Sequence, residues 1–294
     1  MTTPTPTEPA LILTYGPPGY GKTTDCGFSF PNGLFIAARG ALQSIRTVCG
    51  YEPRVETAST IDDVTKRIKS LKKGEFDTVV IDDFSFLAEQ TMAVYEKKYS
   101  GFKLWGAVRE STLDFRNAAR YADCHIILNC WEQEPKTKPD GSRVRGGPNL
   151  SGKLPEQLPA MCDLVLRCGQ EPMRKPWAGV YRCFLDTNYV MKDRFNIAQM
   201  IDPAPMNLAE IMRTVGYKVS RHPDLPWQED VVESVAQSIV AAPPASMTTI
   251  ANDAYRNLTG AGATPAAARW TIRDACDRAV IRRAMTTRND SFFI

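Results

Sequence analysis

Histidine is scarce in this sequence, and cysteine never occurs at metal-binding spacing. The 294 residues include 2 histidines and 8 cysteines, and no C-x-x-C pair is present. A zinc site is therefore not expected, and a disulfide framework is implausible in a chain long enough to bury a full apolar core. The cysteines in apolar stretches such as CHIILNC and CDLVLRC are expected to be buried and reduced.

Long hydrophobic runs and an excess of one charge are also lacking. No apolar run approaches the ~20 residues that span a bilayer. The N-terminal residues MTTPTPTEPA lack the basic and apolar regions of a secretory signal. We therefore expect a cytoplasmic protein with no membrane partner. With 36 Lys+Arg against 33 Asp+Glu, the net charge of +3 does not indicate nucleic-acid binding, so any basic surface has to be local.

Composition divides the chain into three segments. Residues 1–9 are rich in Thr and Pro and are predicted to form a flexible arm. Residues 10–203 alternate apolar runs with helix-like stretches, which predicts an α/β core with a mostly parallel central sheet. Residues 204–294 carry helical patterns interrupted by the linker signal APPAS, and we expect a helical C-terminal extension.

Apolar runs predict the strands, and longer stretches predict the helices. The predicted strands are ALILTY, GLFIAA, DTVVIDD, HIILNC, LVLRC and YRCFLD, at residues 10–15, 33–38, 77–83, 125–130, 164–168 and 181–186. The predicted helices cover residues 61–73, 113–121, 206–215, 228–242, 248–258 and 265–285.

One glycine-rich motif dominates the sequence. GPPGYGKT, at residues 16–23, matches G-x-x-x-x-G-K-[ST] between a predicted strand and helix-compatible residues. Its glycines let backbone N–H groups converge on phosphate oxygens at a helix N-terminus. Lys22 would bridge the β and γ phosphates of ATP, and Thr23 would ligate Mg²⁺. The residues expected to bind the nucleotide are Gly16, Pro17, Pro18, Gly19, Tyr20, Gly21, Lys22, Thr23 and Thr24.

Polar side chains end two of the other predicted strands. Asp82, at the tip of TVVIDDF, is expected to hold Mg²⁺ directly or through water. Asp83 would either orient or deprotonate the attacking water or cap the following helix. On the next strand, Asn129 is a candidate sensor of the γ phosphate, and Glu132 is a candidate for positioning water. Both residues could equally be a cap or a loop anchor.

The order of these motifs resembles that of the RecA-like phage ATPases of the single-strand annealing and recombination type. The matching segments are GPPGYGKTT, FPNGLFIAARG, TVVIDDF, HIILNCWE and MKDRFNI, flanked by SGKLPEQLPAMCDLVLR, within about residues 10–200. The resemblance implies a RecA-like P-loop NTPase core, Mg·ATP as ligand and a homo-oligomeric ring or filament. It also implies that Lys192 and Arg194 act across a subunit interface on the neighbour's γ phosphate. If the chain is phage-encoded, its location would be the host cytoplasm.

Two positions depart from the family pattern. Family members usually carry an acid near the end of the second strand, where FIAARG offers Arg39. Trp131 replaces a histidine often found after the polar-tipped strand. Either Asp83 or Glu132 supplies the missing role, or turnover is slow and ATP acts mainly as an assembly ligand.

Two basic segments are candidates for contact with single-stranded DNA. Residues 132–153 are predicted to form a long loop without structure of its own, at the place where RecA-like proteins have a mobile DNA-binding loop. Residues 95–105 mix lysines with aromatic rings that suit single strands, although a solvated face with core aromatics is the alternative. The expected DNA contacts are Lys136, Lys138, Arg143, Arg145, Lys153, Lys97, Lys98 and Lys103. The basic terminal helix is equally suited to dock a partner protein.

The preferred hypothesis is a RecA-like ATPase that hydrolyses ATP, with stimulation by single-stranded DNA, in recombination or annealing. A single-strand DNA-binding protein or another replication or recombination protein is a further candidate partner.

An AAA+ helicase loader or remodelling ATPase would share Lys22, Thr23 and Asp82, but its arginine finger would usually precede a helical lid. A non-hydrolysing ATP-binding assembly protein is favoured by Arg39. A small-molecule kinase is more distant, because no acceptor-binding elements are evident.

Overall fold

A mixed sheet lies at the centre of the molecule. The structure, a computed structural model, describes residues 8–152, 154–170, 179–182, 188–197, 201–219 and 229–291. Its strands are β1 (Leu11–Gly16), β2 (Leu34–Ala37), β3 (Arg54–Thr57), β4 (Thr78–Asp82), β5 (His125–Gln133), β6 (Lys136–Thr137), β7 (Arg143–Val144), β8 (Gly147–Pro148), β9 (Leu164–Gln170), β10 (Gly179–Arg182), β11 (Lys192–Asp193) and β12 (Ala204–Pro205). Its α-helices are α1 (Lys22–Ser29), α2 (Ile61–Ser70), α3 (Phe84–Glu96), α4 (Gly101–Arg120), α5 (Leu154–Met161), α6 (Leu208–Thr214), α7 (Glu229–Ala241), α8 (Met247–Gly260) and α9 (Pro265–Ser291).

The order of the strands brings distant segments to one edge of the sheet. The parallel strands run β3-β2-β4-β5-β1-β9, and β10 and β12 continue the sheet antiparallel to their neighbours. Because β5 lies between β1 and β4, the carboxyl ends of all three strands meet at the same edge. The register pairs Thr14 with Asn129 and Gly16 with Trp131. The predicted α/β fold with a mostly parallel sheet is confirmed.

Helices cover both faces of this sheet. Along β1, Ile12 faces an apolar core shared with α1, whereas Leu11 and Leu13 face a second core shared with α2 to α5. All six residues of β1 are buried. Burial on both faces explains why these strands are continuous apolar runs rather than alternating ones. The cysteines of the described residues are unpaired, and Cys183 lies outside that part of the chain.

Most predicted elements agree with the structure, but some were missed or predicted too short. The helix α3 (Phe84–Glu96) was not predicted. Residues 183–186 of the strand predicted over 181–186 lie outside the described residues. The helix predicted over 113–121 is the end of α4, which begins at Gly101. Its first turns were missed because its buried side chains begin only at Val108. The edge strand β3 was also missed, since its sequence RVET is largely exposed and carries no apolar run.

The basic segment 132–153 is more ordered than predicted. β5 continues to Gln133, β6 and β7 pair as a hairpin, and β8 returns to pair with β5. The expectation of a long loop without structure of its own is therefore wrong for this segment. Alternation was not visible in the sequence because β6, β7 and β8 have only two residues each.

The C-terminal helices are joined to the core through buried and partly buried polar groups. We call this set the C-terminal junction; it comprises Asp25, Asn207, Glu210, Arg273, Asp274, Asp277 and Arg278. Asp25, on α1, accepts hydrogen bonds from the Tyr181 hydroxyl at 2.6 Å and the Leu208 N–H at 3.2 Å. Residues on both sides of the predicted domain boundary at 203/204 thus share one core, which also includes Ile201 and Met206.

The last three helices add a smaller apolar core of their own. It contains Val232, Ala236, Ile239, Ala275 and Ala279, from α7 and α9. No helix among the described residues is both long and apolar enough to cross a membrane. Residues 1–7 of the predicted N-terminal arm lie outside the described part of the chain.

Candidate functional site

The glycine-rich loop connects the end of β1 to the start of α1. Gly19 and Gly21 have φ angles of 80° and 92°, in the left-handed region where a side chain is unfavourable. α1 begins directly after Gly21, with no side chain capping its N-terminus. The structure therefore presents an uncapped helix N-terminus behind a glycine turn, the local geometry that binds phosphate.

Lys22 is held against the loop that precedes it. Its Nζ donates hydrogen bonds to the carbonyl oxygens of Gly16 at 2.7 Å and Pro17 at 3.0 Å. The side chain is buried despite its charge. The loop thus keeps the ammonium group within the concavity formed by its own backbone.

Asp82 is a buried carboxylate at the carboxyl end of β4. Burial raises its pKa, whereas hydrogen bonds from the side chains of Thr23 and Asn129 and the charge of Lys22 oppose that shift. Within the described part of the chain, Asp82 Oδ2 has no hydrogen-bond partner. An unpartnered, buried carboxylate oxygen beside the Thr23 hydroxyl fits a hard cation such as Mg²⁺.

Asn129 occupies the strand between Asp82 and the loop. Its side chain is fully buried, and its Oδ1 accepts a hydrogen bond from Thr14 Oγ1 at 2.6 Å. Its Nδ2 lies 3.4 Å from the sulfur of Cys26 on α1. Sequence reasoning found Asn129 but missed Thr14, whose signal was a single hydroxyl within the apolar run ALILTY.

Asp83 caps the helix that follows it. Its Oδ1 accepts hydrogen bonds from the backbone N–H groups of Ser85 at 2.6 Å and Phe86 at 3.2 Å. Burial and the neighbouring charge of Asp82 raise the pKa of Asp83 to about 7. Of the two predicted roles, the structure shows the cap, and water activation by Asp83 stays a prediction.

Glu132 is engaged by a cation that the sequence analysis did not consider. Arg167 on β9 donates two hydrogen bonds to its carboxylate, from Nε at 3.0 Å and Nη2 at 2.9 Å. The guanidinium also stacks on Tyr189, 3.8 Å from the ring centroid. The signal for Arg167 was a charged residue inside the apolar strand LVLRC. In this arrangement Glu132 is ion-paired, and its predicted role in positioning water stays a prediction.

Lys192 and Arg194 lie away from the glycine loop of the same chain. In the sheet, Lys192 is paired with Val165, and Val165 is paired with Leu13. Leu13 lies three residues, or about 10 Å, before the end of β1. Arg194 donates to Asp163 Oδ1 at 2.9 Å, and Lys192 Nζ donates to the carbonyl of Ala160 at 2.6 Å. Their predicted action on a neighbouring subunit stays a prediction. Arg39 is exposed in the turn after β2.

The hairpin of β6 and β7 carries part of the predicted DNA surface. Lys136, Lys138 and Arg143 are exposed, and Arg145 donates a hydrogen bond to the carbonyl of Tyr189. A cleft of about 340 Å³ runs between Lys136, Arg143 and Arg145. Lys153, also predicted to contact DNA, lies outside the described residues.

The second basic segment is adjacent to the first. Lys97, Lys98 and Lys103 are exposed where α3 ends and α4 begins. The ring of Trp105 packs so closely on Gly152 that a Cβ there would lie 2.8 Å from it. The two segments predicted separately therefore meet at this contact.

These geometric features agree with a comparison against known families. A family model described as an AAA domain (AAA_24) matches residues 8–195. The chain belongs to this AAA domain family. The matched residues of this AAA domain include the glycine loop, the strand that ends at Asp82 and the Lys192–Arg194 segment. It is a nucleotide-binding ATPase domain, in which β5 separates the glycine-loop strand from the Asp82 strand.

Comparison with solved structures gives further matches. The AAA domain is similar to the chain described as "Crystal structure of the RadB recombinase", with 19% sequence identity and a TM-score of 0.38. The match covers 59% of this chain and 79% of that one. No curated protein matches the sequence.

Proposed function

We propose that this protein is a Mg·ATP-dependent ATPase that assembles as a ring or filament and engages single-stranded DNA in recombination or annealing. The observation that carries the nucleotide assignment is the meeting of Lys22, Thr23 and the unpartnered oxygen of Asp82 behind an uncapped helix N-terminus. Thr23 and Asp82 would hold Mg²⁺, which neutralises charge on the β and γ phosphates when it is bound with the nucleotide.

The oligomeric part of the proposal is supported by the position of Arg194. Arg194 is half exposed and paired with Asp163, which Arg120 also contacts at 2.7 Å. It lies near the amino end of the parallel strands, whereas the glycine loop lies at their carboxyl end. A guanidinium held there can reach a phosphate only on another subunit. Lys192 lies in β11, a strand of the core sheet, and Arg194 directly follows that strand, which favours the RecA-like alternative over the AAA+ one.

The DNA part of the proposal is supported by cations and aromatic rings on two neighbouring segments, residues 132–152 and 95–105. These segments, which include the β6–β7 hairpin and the start of α4, meet at the Trp105–Gly152 contact. Phe102 is 97% exposed, and Tyr99 and Trp105 are about half exposed, so their faces are accessible for stacking on bases. Lysine and arginine side chains beside them would contact phosphates.

A second candidate function is an ATP-binding assembly protein that hydrolyses slowly or not at all. Glu132 is engaged by Arg167, and Asp83 is engaged in capping α3. Arg39 stands where the resembled family usually has an acid. Each carboxylate that could activate water near the phosphates thus has another role in the described arrangement.

The deciding experiment measures ATP binding and hydrolysis with and without single-stranded DNA. We expect DNA to stimulate hydrolysis, and we expect both Lys22→Ala and Arg194→Ala to lose it. Only Lys22→Ala should also lose ATP affinity. ATP binding without turnover in the wild type would establish the second candidate. Unchanged ATP affinity in Lys22→Ala would refute the nucleotide site itself.

Mixing the two variants tests the assignment of Arg194 to a neighbouring subunit. In a mixture, an intact loop from Arg194→Ala can meet an intact Arg194 from Lys22→Ala, so part of the hydrolysis should return. A mixture as inactive as its components would contradict action between subunits.

The DNA surface is tested with a matched pair of variants. The double variant Lys136→Ala with Arg143→Ala should weaken DNA binding. It should also reduce the slope of log affinity against log salt concentration by about two, because two phosphate contacts are lost. The control, Lys66→Ala with Lys72→Ala, removes the same charge from exposed lysines on and after α2. Equal DNA affinity in the two double variants would exclude the hairpin from the DNA interface.

A further inference from the structure

A buried hydroxyl on the glycine-loop strand is tied to the carboxylate expected to hold Mg²⁺. Thr14 is fully buried, and the residues beside it along β1, Leu13 and Tyr15, are core side chains. Its register partner is Asn129, and its Oγ1 lies 2.6 Å from Asn129 Oδ1. A hydroxyl in this position is costly unless it is bonded, and the bond it makes points towards the site.

The hydrogen bonds have one consistent direction. Asp82 directly follows Ile81, whose register partner is Leu128, so Asp82 and Asn129 are neighbours across β4 and β5. An ionised carboxylate only accepts hydrogen bonds, so the end of the amide that favours the ionised form of Asp82 is the N–H end. The amide oxygen accepts a hydrogen bond from Thr14 Oγ1 at 2.6 Å. Cys26 Sγ lies within 3.6 Å of both the amide oxygen and the amide nitrogen, so Thr14 is the partner that favours one orientation of the amide.

We propose that Thr14 is a positioning residue for Asp82 that acts through Asn129. By fixing the amide, Thr14 holds the Asp82 carboxylate so that Oδ2 stays without a protein partner and is available to Mg²⁺. Residues that orient a metal ligand in this way control metal affinity although they do not touch the metal. The inference rests on the proposed Mg·ATP binding and gives Asn129 a different role from the phosphate sensor expected from the sequence.

The burial of Asn129 supports this role over direct contact with a phosphate. The side chain is 0% exposed, and its polar atoms face Thr14, Cys26 and Asp82. A contact with nucleotide would have to break one of these bonds. Orientation of Asp82 requires no such rearrangement.

The test is a Mg²⁺ titration of ATP binding in variants of Thr14. Thr14→Val removes the donor with little change in shape, and it should raise the Mg²⁺ concentration at half-saturation about tenfold. ATP affinity measured in EDTA should stay at the wild-type value. Thr14→Ser keeps the hydroxyl and should titrate like the wild type. Thr78→Val is the control, because Thr78 is equally buried but lies at the other end of β4.

The outcomes separate this inference from the proposed function. If the wild type binds ATP with no dependence on Mg²⁺, the proposed metal site fails and the inference fails with it. If the wild type depends on Mg²⁺ but Thr14→Val titrates like Thr78→Val, only the role of Thr14 is refuted. If Thr14→Val does not fold, Thr14→Cys replaces it, because a thiol is a weaker donor. A Mg²⁺ concentration at half-saturation equal to that of Thr14→Ser would then refute the positioning role of Thr14.

Discussion

The nucleotide site and the C-terminal junction both bury charge, but they satisfy it differently. At the site, the carboxylate of Asp82 is 4% exposed and one of its oxygens has no hydrogen-bond partner among the described residues. At the junction, the similarly buried Arg278 makes ion pairs with four carboxylates, those of Glu210, Glu229, Glu233 and Asp274. Its Nε lies 3.3 Å from Glu210 but, like Asp82 Oδ2, has no hydrogen-bond partner among the described residues. Both regions involve α1, which begins at Lys22 and carries Asp25 in its first turn.

The junction therefore holds helices together, whereas the nucleotide site is able to bind a ligand. A buried charge surrounded by partners holds elements together, and removing one partner leaves the others uncompensated. A buried charge with a free lone pair destabilises the fold slightly and is ready to accept a ligand. We therefore expect substitutions in the two regions to change stability in opposite directions.

The largest effect is expected for Arg278→Met. The substitution leaves Glu210 and Asp274 buried without their shared cation, and the free energy of unfolding should fall by about 3–5 kcal/mol in urea denaturation. Arg256→Met is the matched control, because its ion pair with Asp253 is exposed. An Arg278→Met variant as stable as this control would show that the junction contributes no cohesion.

A pH-dependent effect is expected from Asp277. Burial, reinforced by the charge of Asp274 and opposed by Arg273, raises its pKa to about 7. A carboxyl group with a raised pKa stabilises the fold when protonated, and this contribution is lost as the pH rises through about 7. Between about pH 5 and pH 8, the wild type should lose about 2 kcal/mol more stability than Asp277→Asn. Parallel pH profiles from urea unfolding would contradict the assignment.

The smallest effect on stability, and the one of opposite sign, is expected for Asp82→Asn. Because burial disfavours the charged form of Asp82, its neutral replacement should raise the free energy of unfolding by about 1 kcal/mol at neutral pH. Mg²⁺-dependent ATP affinity should be lost in the same variant. If Asp82→Asn lowered both the free energy of unfolding and the ATP affinity, the expected difference between the nucleotide site and the junction would be wrong. Asp253→Asn, an exposed control, should change neither quantity.

The parts of the fold that the sequence predicted are those encoded locally. The glycine loop is a contiguous motif, and the buried strands are continuous apolar runs, so both could be recognised without knowledge of the rest of the chain. The strand β3 and the first turns of α4 could not, because exposed elements carry little hydrophobic pattern.

The contacts that define the site depend on register between distant segments. Thr14 and Asn129 are 115 residues apart in sequence, and Glu132 and Arg167 are 35 apart. Sequence patterns predicted that Asn129 and Glu132 end a strand but not which side chains they would face. The cap made by Asp83 was among the predicted alternatives, since an acid directly before a helix is a common N-cap.

The position of Asp25 on α1 has a thermodynamic consequence for the whole chain. The helix that starts at the phosphate-binding loop is also the helix that the C-terminal segment grips, through Arg273 and the Leu208 N–H. A molecule that binds one placement of α9 more tightly than another therefore changes ATP affinity if ATP also favours one of these placements. By linkage, ATP must change the affinity for that molecule by the same factor. A partner bound to the C-terminal helices and a nucleotide bound in the loop would thus change each other's affinity without direct contact.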